Sequence, residues 1–266
     1  MRSITVLLPL LLLTIFAYSQ DFALQQLEDS PRHHEWVELT SGERTLHCFV
    51  AYPEVSTKAL TVIVIHENRG LTDWVRSLAD QLAAEGYIAI APDLLSDFNE
   101  EYDRTSAFPT SDEARSAIYQ LDADQVTHDL EVAQDYVTQL PAANGQNAVM
   151  GFCWGGSQTF RFATNNDEIK AAMVFYGTAP KEPEPFLQIE APVYGFYGGN
   201  DQRVNATLED TRRMMTAAGK SYEIAVYDGA GHAYMRRGDD PNADQPNRMA
   251  RNQSWERILE ILKNLD

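Results

Sequence analysis

The 266-residue chain has little cysteine, little positive charge and few long apolar runs. It contains two cysteines, Cys48 and Cys153, and no pairing of Cys with His has the spacing of zinc ligands, so no metal site is expected. Its 39 acidic residues outnumber 21 lysines and arginines, which gives a net charge of −18. That charge argues against nucleic acid and anionic membrane surfaces as partners. After the first twenty residues, no apolar run is long enough to span a membrane.

The first twenty residues are typical of a secretory signal. Arg2 supplies a positive start, residues 4–16 form an apolar core, and Ala17-Tyr18-Ser19 offers a cleavage site with small residues at its ends. The alternative is an uncleaved anchor, although the apolar run is short for a membrane span. We expect a signal peptide at 1–19, export to the periplasm or medium, no stable membrane insertion after cleavage, and a single domain over 20–266.

The rest of the chain alternates short apolar runs with helical patterns. A hairpin is predicted at 35–52 around Ser41-Gly42-Glu43, after a loose polar lead-in at 21–32. Strands are predicted at 61–66, 87–91, 147–152, 171–176, 192–197 and 222–227, and helices at 73–85, 111–140, 155–164, 206–218 and 249–265. Nearly continuous apolar strands between helices indicate an α/β fold, a mostly parallel central sheet with helices on both faces.

Residues 151–156, with the sequence GFCWGG, follow one of these strands and precede a helix. This is the context of a nucleophile elbow, in which the pattern G-x-S-x-G presents a nucleophile on a tight strand-to-helix turn. Here Cys153 occupies the nucleophile position, and the helix N-terminus favours its thiolate. Two cysteines in an exported protein also allow a disulfide, but a nucleophile needs a free thiol. Cys48 lies in a predicted strand and is interpreted as a buried thiol.

Asp201 and His232 follow Cys153 in the order nucleophile, acid, histidine, which is the order of α/β-hydrolases. Both follow predicted strands, so both are expected at the carboxyl edge of the sheet. In this hypothesis His232 takes the thiol proton, and Asp201 fixes the imidazole tautomer. Asp201 could instead be a turn residue, and His232 an ordinary loop residue.

The loop after the first long buried strand reads His66-Glu67-Asn68-Arg69-Gly70. We assign the oxyanion hole to the backbone N–H groups of Trp154 and Asn68. An ionised Glu67 next to Cys153 would raise the thiol pKa by like-charge repulsion, or it could hydrogen-bond the resting thiol. A loop glutamate paired with Arg69 is the alternative.

These motifs, with Ala91-Pro92-Asp93-Leu94, Gly199-Asn200-Asp201 and Gly229-Ala230-Gly231-His232, resemble the dienelactone hydrolase family over residues 45–264. The resemblance implies an α/β-hydrolase fold, a Cys-Asp-His triad and no cofactor. It also implies that Glu67 hydrogen-bonds the resting cysteine and takes part in its activation.

Family members that act on dienelactone hold the substrate carboxylate with arginines. By that resemblance Arg236 and Arg115 are candidate substrate-binding residues, and Tyr234 is a candidate lining residue. Arg236 could equally be a surface arginine. The polar pair Asn68-Arg69 and the signal sequence depart from the enzymes of aromatic degradation and resemble an exported branch of the family.

The sequence therefore predicts a hydrolase that cleaves a small ester or lactone through a thioester acyl-enzyme; it does not determine the oligomeric state, for which a monomer is favoured. A non-catalytic binding protein that kept the fold, an acyltransferase and a thiol redox enzyme are the alternatives. The absence of a CxxC pair weighs against the redox role.

Overall fold

Eight strands form one sheet in a computed structural model that describes residues 21–265. The sheet order is β1-β2-β4-β3-β5-β6-β7-β8; β1 and β2 run antiparallel to their neighbours, and the other strands are parallel. The signal peptide predicted for 1–19 lies outside the described residues. The strands are β1 (His34–Ser41), β2 (Arg44–Ala51), β3 (Ala59–Ile65), β4 (Ile88–Pro92), β5 (Ala143–Phe152), β6 (Ala172–Phe175), β7 (Val193–Gly198) and β8 (Tyr222–Tyr227).

Helices cover both faces of the sheet because the central strands are apolar on both faces. In β3, Val62 and Val64 pack into one cluster while Ile63 and Ile65 pack into another, as the alternation of strand side chains requires. The first cluster is covered by α1 (Asp21–Glu28), α2 (Asp73–Ala84), α8 (Tyr234–Asp239) and α9 (Gln245–Lys263), and the second by α4 (Ala123–Thr138), α5 (Trp154–Ala163) and α7 (Leu208–Ala217). The remaining α-helices are α3 (Ser111–Ile118) and α6 (Gln202–Asn205), and Thr105–Ala107 and Glu184–Gln188 form short 3₁₀ helices. The predicted α/β class and the predicted strands are confirmed.

Two predictions about helices are wrong. The pattern at 111–140 forms two helices, because the carboxylate of Asp122 accepts hydrogen bonds from the N–H groups of Asp124 and Gln125 and starts a new helix there. The polar lead-in contains α1, whose residues Ala23 and Leu27 lie one turn apart and are buried in the core cluster that α2 shares. None of the helices within residues 21–265 is long and apolar enough to cross a membrane.

Candidate active site

Cys153 sits between the last residue of β5 and the first residue of α5. Its φ of 56° and ψ of −112° are strained for a side chain with a Cβ, and its N–H donates to the Phe175 carbonyl at 3.0 Å. A Cβ on Gly155 would lie 2.3 Å from the His66 carbonyl oxygen, so the turn can approach the neighbouring loop only with glycine there. Both cysteines are free thiols, Cys48 buried in β2 and Cys153 partly accessible.

The environment of the Cys153 sulfur favours the neutral thiol. Burial raises its pKa, and the negative charge of Glu67 raises it further. Hydrogen bonds from the backbone N–H groups of Trp154 and Asn68, and the positive charge of Arg203, lower the pKa but do not reverse the shift. The sulfur thus lies against the two N–H groups that the sequence assigns to an oxyanion hole.

Asp201 and His232 form a short pair at the carboxyl edge of the sheet. His232 Nδ1 lies 2.5 Å from Asp201 Oδ2, and the side chains are 31% and 6% exposed, respectively. A neutral imidazole that donates from Nδ1 to a carboxylate leaves Nε2 as an acceptor. The two loops are tied together, since the Asn200 N–H donates to the Ala230 carbonyl at 2.9 Å and Asn200 Nδ2 donates to the Gly229 carbonyl at 3.0 Å.

The third expected contact of a triad is not formed. Within residues 21–265, no hydrogen bond joins the Cys153 sulfur to His232, whose ring instead meets the ring of Tyr176 edge-on at 5.0 Å. The backbone N–H groups of Trp154 and Asn68 act on the sulfur instead. Catalytic hydrogen bonds that are loose in an unliganded protein commonly tighten when substrate binds.

Glu67 pairs with Arg236 rather than with Cys153 or Arg69. The Glu67 Oε2 atom accepts from Arg236 Nε at 2.6 Å, and both side chains are largely buried. A guanidinium is a far stronger partner for a carboxylate than a neutral thiol, which explains why the hydrogen bond implied for the resting cysteine is absent here. Within the described part of the chain, the other carboxylate oxygen, Oε1, is buried and has no hydrogen-bond partner.

A cleft of about 490 Å³ opens above Cys153 and His232. Four arginines line it, each from a different loop or helix: Arg69 after β3, Arg115 on α3, Arg203 on α6 and Arg236 on α8. The oxyanion loop is fastened to α3, because Asn68 Nδ2 donates to the Tyr119 hydroxyl at 3.1 Å. The structure therefore brings Arg115 and Arg236 to the cleft, and Arg236 is not a surface residue.

Tyr234 is the exception among the candidate residues. Its side chain is fully buried, its hydroxyl lies 2.7 Å from the Ser254 hydroxyl, and its ring packs against Tyr176 and Tyr227. Tyr234 packs in the core beneath the loop that carries His232 and does not line the cleft. Its assignment as a substrate-lining residue is therefore corrected. Its position two residues after His232 in the sequence did not reveal which way the ring points.

A model of the dienelactone hydrolase family, an α/β-hydrolase family, matches residues 46–265. The chain belongs to this family. A Salmonella typhimurium protein named "Putative carboxymethylenebutenolidase" is 34% identical over 230 residues, which cover 80% of each chain. A protein of the same name from Escherichia coli strain K12 is 33% identical over 219 residues, 76% of each chain.

Solved structures agree with this assignment. A Klebsiella pneumoniae crystal structure named "Putative Dienelactone Hydrolase" superposes on this chain with a TM-score of 0.76 at 25% identity. The match covers 87% of this chain and 98% of that one. As a member of the dienelactone hydrolase family, the protein is a carboxylic ester hydrolase.

His66 is a residue of this dienelactone hydrolase-family site to which sequence reasoning gave no role. It is buried and stacks on Trp154 at 5.5 Å, and burial lowers its pKa. The Leu94 N–H donates to Nε2 at 3.2 Å, so the ring is neutral and its Nδ1–H donates to the Glu67 carbonyl at 2.8 Å. His66 therefore fixes the backbone of the oxyanion loop.

Arg69 and Arg203 were also given no substrate-binding role. The sequence indicates a place near the site only through their position, because each lies a few residues after a strand of the parallel sheet. Among residues 21–265, no group of three or more His, Cys, Asp or Glu side chains is placed to hold a metal ion.

Proposed function

We propose that Cys153, His232 and Asp201 act as nucleophile, base and orienting acid in the hydrolysis of an ester or lactone. The observation that carries this proposal is the Asp201–His232 pair at 2.5 Å in the same cleft as a strained elbow cysteine. Nucleophile, base and orienter on three separate loops at one sheet edge is the arrangement that acyl transfer needs.

In the first step the carbonyl oxygen of the substrate takes the place of the sulfur at the N–H groups of Trp154 and Asn68. The displaced thiol turns towards His232, which accepts its proton at Nε2 while the sulfur bonds to the carbonyl carbon. The carbon–oxygen bond of the ester then breaks, and the imidazolium returns the proton to the departing alkoxide.

In the second step water cleaves the resulting thioester. His232 takes a proton from water, the hydroxide bonds to the acyl carbon, and the carbon–sulfur bond breaks. The proton goes to the sulfur and restores the thiol, and the acid leaves the cleft.

We assign Glu67 control of the thiol rather than proton transfer. Burial raises the pKa of the Cys153 thiol, and the negative charge of Glu67, which pairs with Arg236, raises it further; the protonated thiol is less open to oxidation. An anionic group on the substrate competes with Glu67 for Arg236, so substrate binding changes the electrostatics of the sulfur.

The substrate is proposed to carry a carboxylate that Arg115 and Arg236 recognise. Both residues line the cleft, and guanidinium groups bind carboxylates with paired hydrogen bonds. The carboxymethylenebutenolide in the names of the relatives is itself a lactone with a carboxylate.

Steady-state hydrolysis of 4-nitrophenyl acetate and a dienelactone by the protein and by Cys153→Ala tests this proposal. We expect turnover of at least one substrate and a loss of about 10⁴-fold or more in the variant. Cys48→Ala is the matched control, because it removes the other, buried cysteine and keeps the elbow. Full activity of Cys153→Ala would overturn the proposal, and turnover of neither substrate by a folded protein with a free thiol would favour a binding protein.

An added alcohol distinguishes hydrolase from acyltransferase. The proposal expects the free acid as the main product in dilute methanol. Transfer of most acyl groups to methanol would favour the acyltransferase alternative.

We also propose that the protein is exported and processed after Ser19. Mass spectrometry of the protein recovered from the periplasm or medium of a bacterial host is expected to find Gln20 at the N-terminus. Retention of the complete 29.9-kDa chain would contradict cleavage.

A further inference from the structure

The hydroxyl of Thr105 joins the oxyanion loop, residues 66–71, to the segment between β4 and α3. Thr105 is the first residue of the short 3₁₀ helix in that segment and lies 34 positions from Leu71 in the chain. Its Oγ1 accepts a hydrogen bond from the Leu71 N–H at 3.0 Å and donates one to Asp93 Oδ1 at 2.6 Å. One side chain therefore holds the end of the oxyanion loop against the end of β4.

Asp93 is a rigid anchor for this hydroxyl. The residue is only 2% exposed, and its Oδ2 accepts from the Thr105 N–H at 2.8 Å. Its Oδ1 also accepts from the Leu95 N–H at 3.1 Å, and its own N–H donates to the His47 carbonyl of β2 at 2.8 Å. Thr105 is thus fixed at both its N–H and its hydroxyl, and a buried carboxylate that loses such donors is destabilised.

Gly70 leaves the space that the Thr105 side chain occupies. Its φ of 81° is in the left-handed region, which favours glycine. A Cβ at this position would collide with Oγ1, Cγ2 and Cβ of Thr105. The oxyanion loop is therefore shaped for this contact by a feature that is independent of the two hydrogen bonds.

The Asn68 N–H lies in a turn that is fixed at both ends. The Gly70 N–H donates to the Glu67 carbonyl at 3.4 Å, which closes the turn, and Thr105 holds Leu71 just beyond it. An oxyanion-hole donor is effective because it is aimed before the charge develops. The direction of the Asn68 N–H depends on how firmly the two ends of this turn are held.

We propose that Thr105 is a positioning residue, whose hydroxyl holds the oxyanion loop so that the Asn68 N–H points to the oxyanion. The inference rests on the proposed function, because it concerns the oxyanion hole of the same cysteine. It goes beyond that function because it assigns the placement of the donor to a side chain on another segment, outside the cleft lining.

Thr105→Val tests the proposal without turnover, since valine removes the hydroxyl and keeps the branched shape. The hydrogen bond from the Asn68 N–H lowers the pKa of the Cys153 thiol, so a misplaced N–H leaves that pKa higher. The charges of Glu67 and Arg203, which also act on the sulfur, stay the same in this variant. We expect the midpoint of the pH dependence of iodoacetamide alkylation to move to higher pH.

Steady-state hydrolysis of 4-nitrophenyl acetate gives the second readout. Loss of a whole oxyanion-hole donor lowers kcat by about 10²–10³-fold, so a misaimed donor in Thr105→Val is expected to lower it by about tenfold or more. KM is expected to stay within about threefold of the parent value, because the donor acts on charge that develops in the transition state. Thr105→Ser keeps the hydroxyl and is expected to restore both kcat and the alkylation midpoint.

Thr164→Val is the matched control. Thr164 follows the last residue of α5, at the opposite end of that helix from Cys153. Its hydroxyl likewise donates one hydrogen bond, to the Arg161 carbonyl at 2.7 Å, and accepts one, from Asn165 Nδ2 at 3.0 Å. This variant is expected to keep the alkylation midpoint and to keep kcat within about twofold of the parent value. Thr105→Ala is the second variant without the hydroxyl, in case valine prevents folding.

An unchanged alkylation midpoint in the folded variants Thr105→Val and Thr105→Ala would overturn the inference. An unchanged kcat, a Thr105→Ser variant as impaired as Thr105→Val, or an equal shift in Thr164→Val would also overturn it. If the parent protein hydrolyses no ester, or if Cys153→Ala keeps full activity, the proposed function fails. The alkylation midpoints then decide by themselves whether Thr105 places the Asn68 N–H at the sulfur.

Discussion

At the scale of single residues, the site is governed by competition for a few charged groups. The Glu67 carboxylate accepts a hydrogen bond from the guanidinium of Arg236, 169 positions away in the chain, and not from the Cys153 thiol. The Cys153 sulfur interacts with the backbone N–H groups of Trp154 and Asn68 and not with His232. Burial and the charge of Glu67 favour the protonated thiol, and the two N–H groups oppose this shift without reversing it, so the unliganded site rests with a neutral thiol.

Replacement of Glu67 by Gln is expected to accelerate alkylation of Cys153 by iodoacetamide near neutral pH. The pKa of the thiol is raised by burial and by the charge of Glu67, so removing that charge lowers the pKa and increases the thiolate fraction. The measurement is the pH dependence of the alkylation rate, whose midpoint is expected to move to lower pH.

Glu223→Gln is the control for this experiment, because Glu223 pairs with Arg257 on the surface, away from the cleft. Its alkylation profile is expected to match that of the parent protein. A profile of Glu67→Gln that is unchanged, or moved to higher pH, would contradict the control of the thiol by Glu67.

These choices at single residues could not be predicted from the sequence. The order of Cys153, Asp201 and His232 was enough to predict that the acid and the histidine meet, because strand ends converge at one sheet edge. The partner of Glu67 and the orientation of Tyr234 depend on side-chain rotation and burial, which no spacing encodes. Tyr234 shows this clearly, since it is two residues from His232 and yet points into the core.

At the scale of elements, the reactive geometry depends on how closely β5, α5 and the loop after β3 approach. This close approach requires glycine at positions 151, 155 and 156. A Cβ added to Gly151, Gly155 or Gly156 would lie within 2.6 Å of a backbone oxygen. His66 then fixes the loop from the other side through its two backbone partners. The GFCWGG sequence predicted the turn, but the role of His66 requires knowledge of its contacts.

Gly155→Ala is expected to destabilise the fold by about 3 kcal/mol or more, since the added methyl group meets the His66 carbonyl and the backbone must move. The decrease appears as a lower denaturant midpoint. Gly42→Ala is the control: its φ of 63° strains an alanine, but no atom lies within 4 Å of the added Cβ. The Gly42→Ala variant is expected to lower the free energy of unfolding by about 1 kcal/mol. Equal effects of the two substitutions would contradict the steric argument.

At the scale of the whole molecule, a surplus of negative charge surrounds a cleft lined with arginines. Elsewhere the arginines are used to join segments, as in the cluster around Asp80 on α2. Ser30, Arg32 and His34 all reach this carboxylate at 2.6–2.8 Å and attach the N-terminal segment to the core. The sequence predicted the α/β architecture because apolar strands and helices alternate, but it did not predict α1 or this attachment.

Asp80→Asn is expected to destabilise the protein at pH 7 by about 1–3 kcal/mol, because buried partners lose a charged acceptor. Burial raises the pKa of Asp80, but hydrogen bonds from Arg32, His34 and Ser30 outweigh it and lower the pKa below its usual value. The stabilisation is therefore present above about pH 4 and is lost as the pH falls through the folded-state pKa.

Urea unfolding between pH 2 and pH 7 measures this effect. The difference between the parent protein and Asp80→Asn is expected to shrink towards acid pH. Asp210→Asn, which removes an exposed partner of Arg213, is expected to change stability by less than about 0.5 kcal/mol. A constant difference for Asp80→Asn across the range would contradict the linkage.

Mass spectrometry of the acyl-enzyme tests the central claim most directly. The protein is mixed with 4-nitrophenyl acetate, quenched in acid within the first turnover and digested. The account predicts an acetyl group on the peptide that contains Cys153, lost on longer incubation, and none on the peptide that contains Cys48. Rapid release of nitrophenol with no acetyl group on Cys153 at any time would contradict the account.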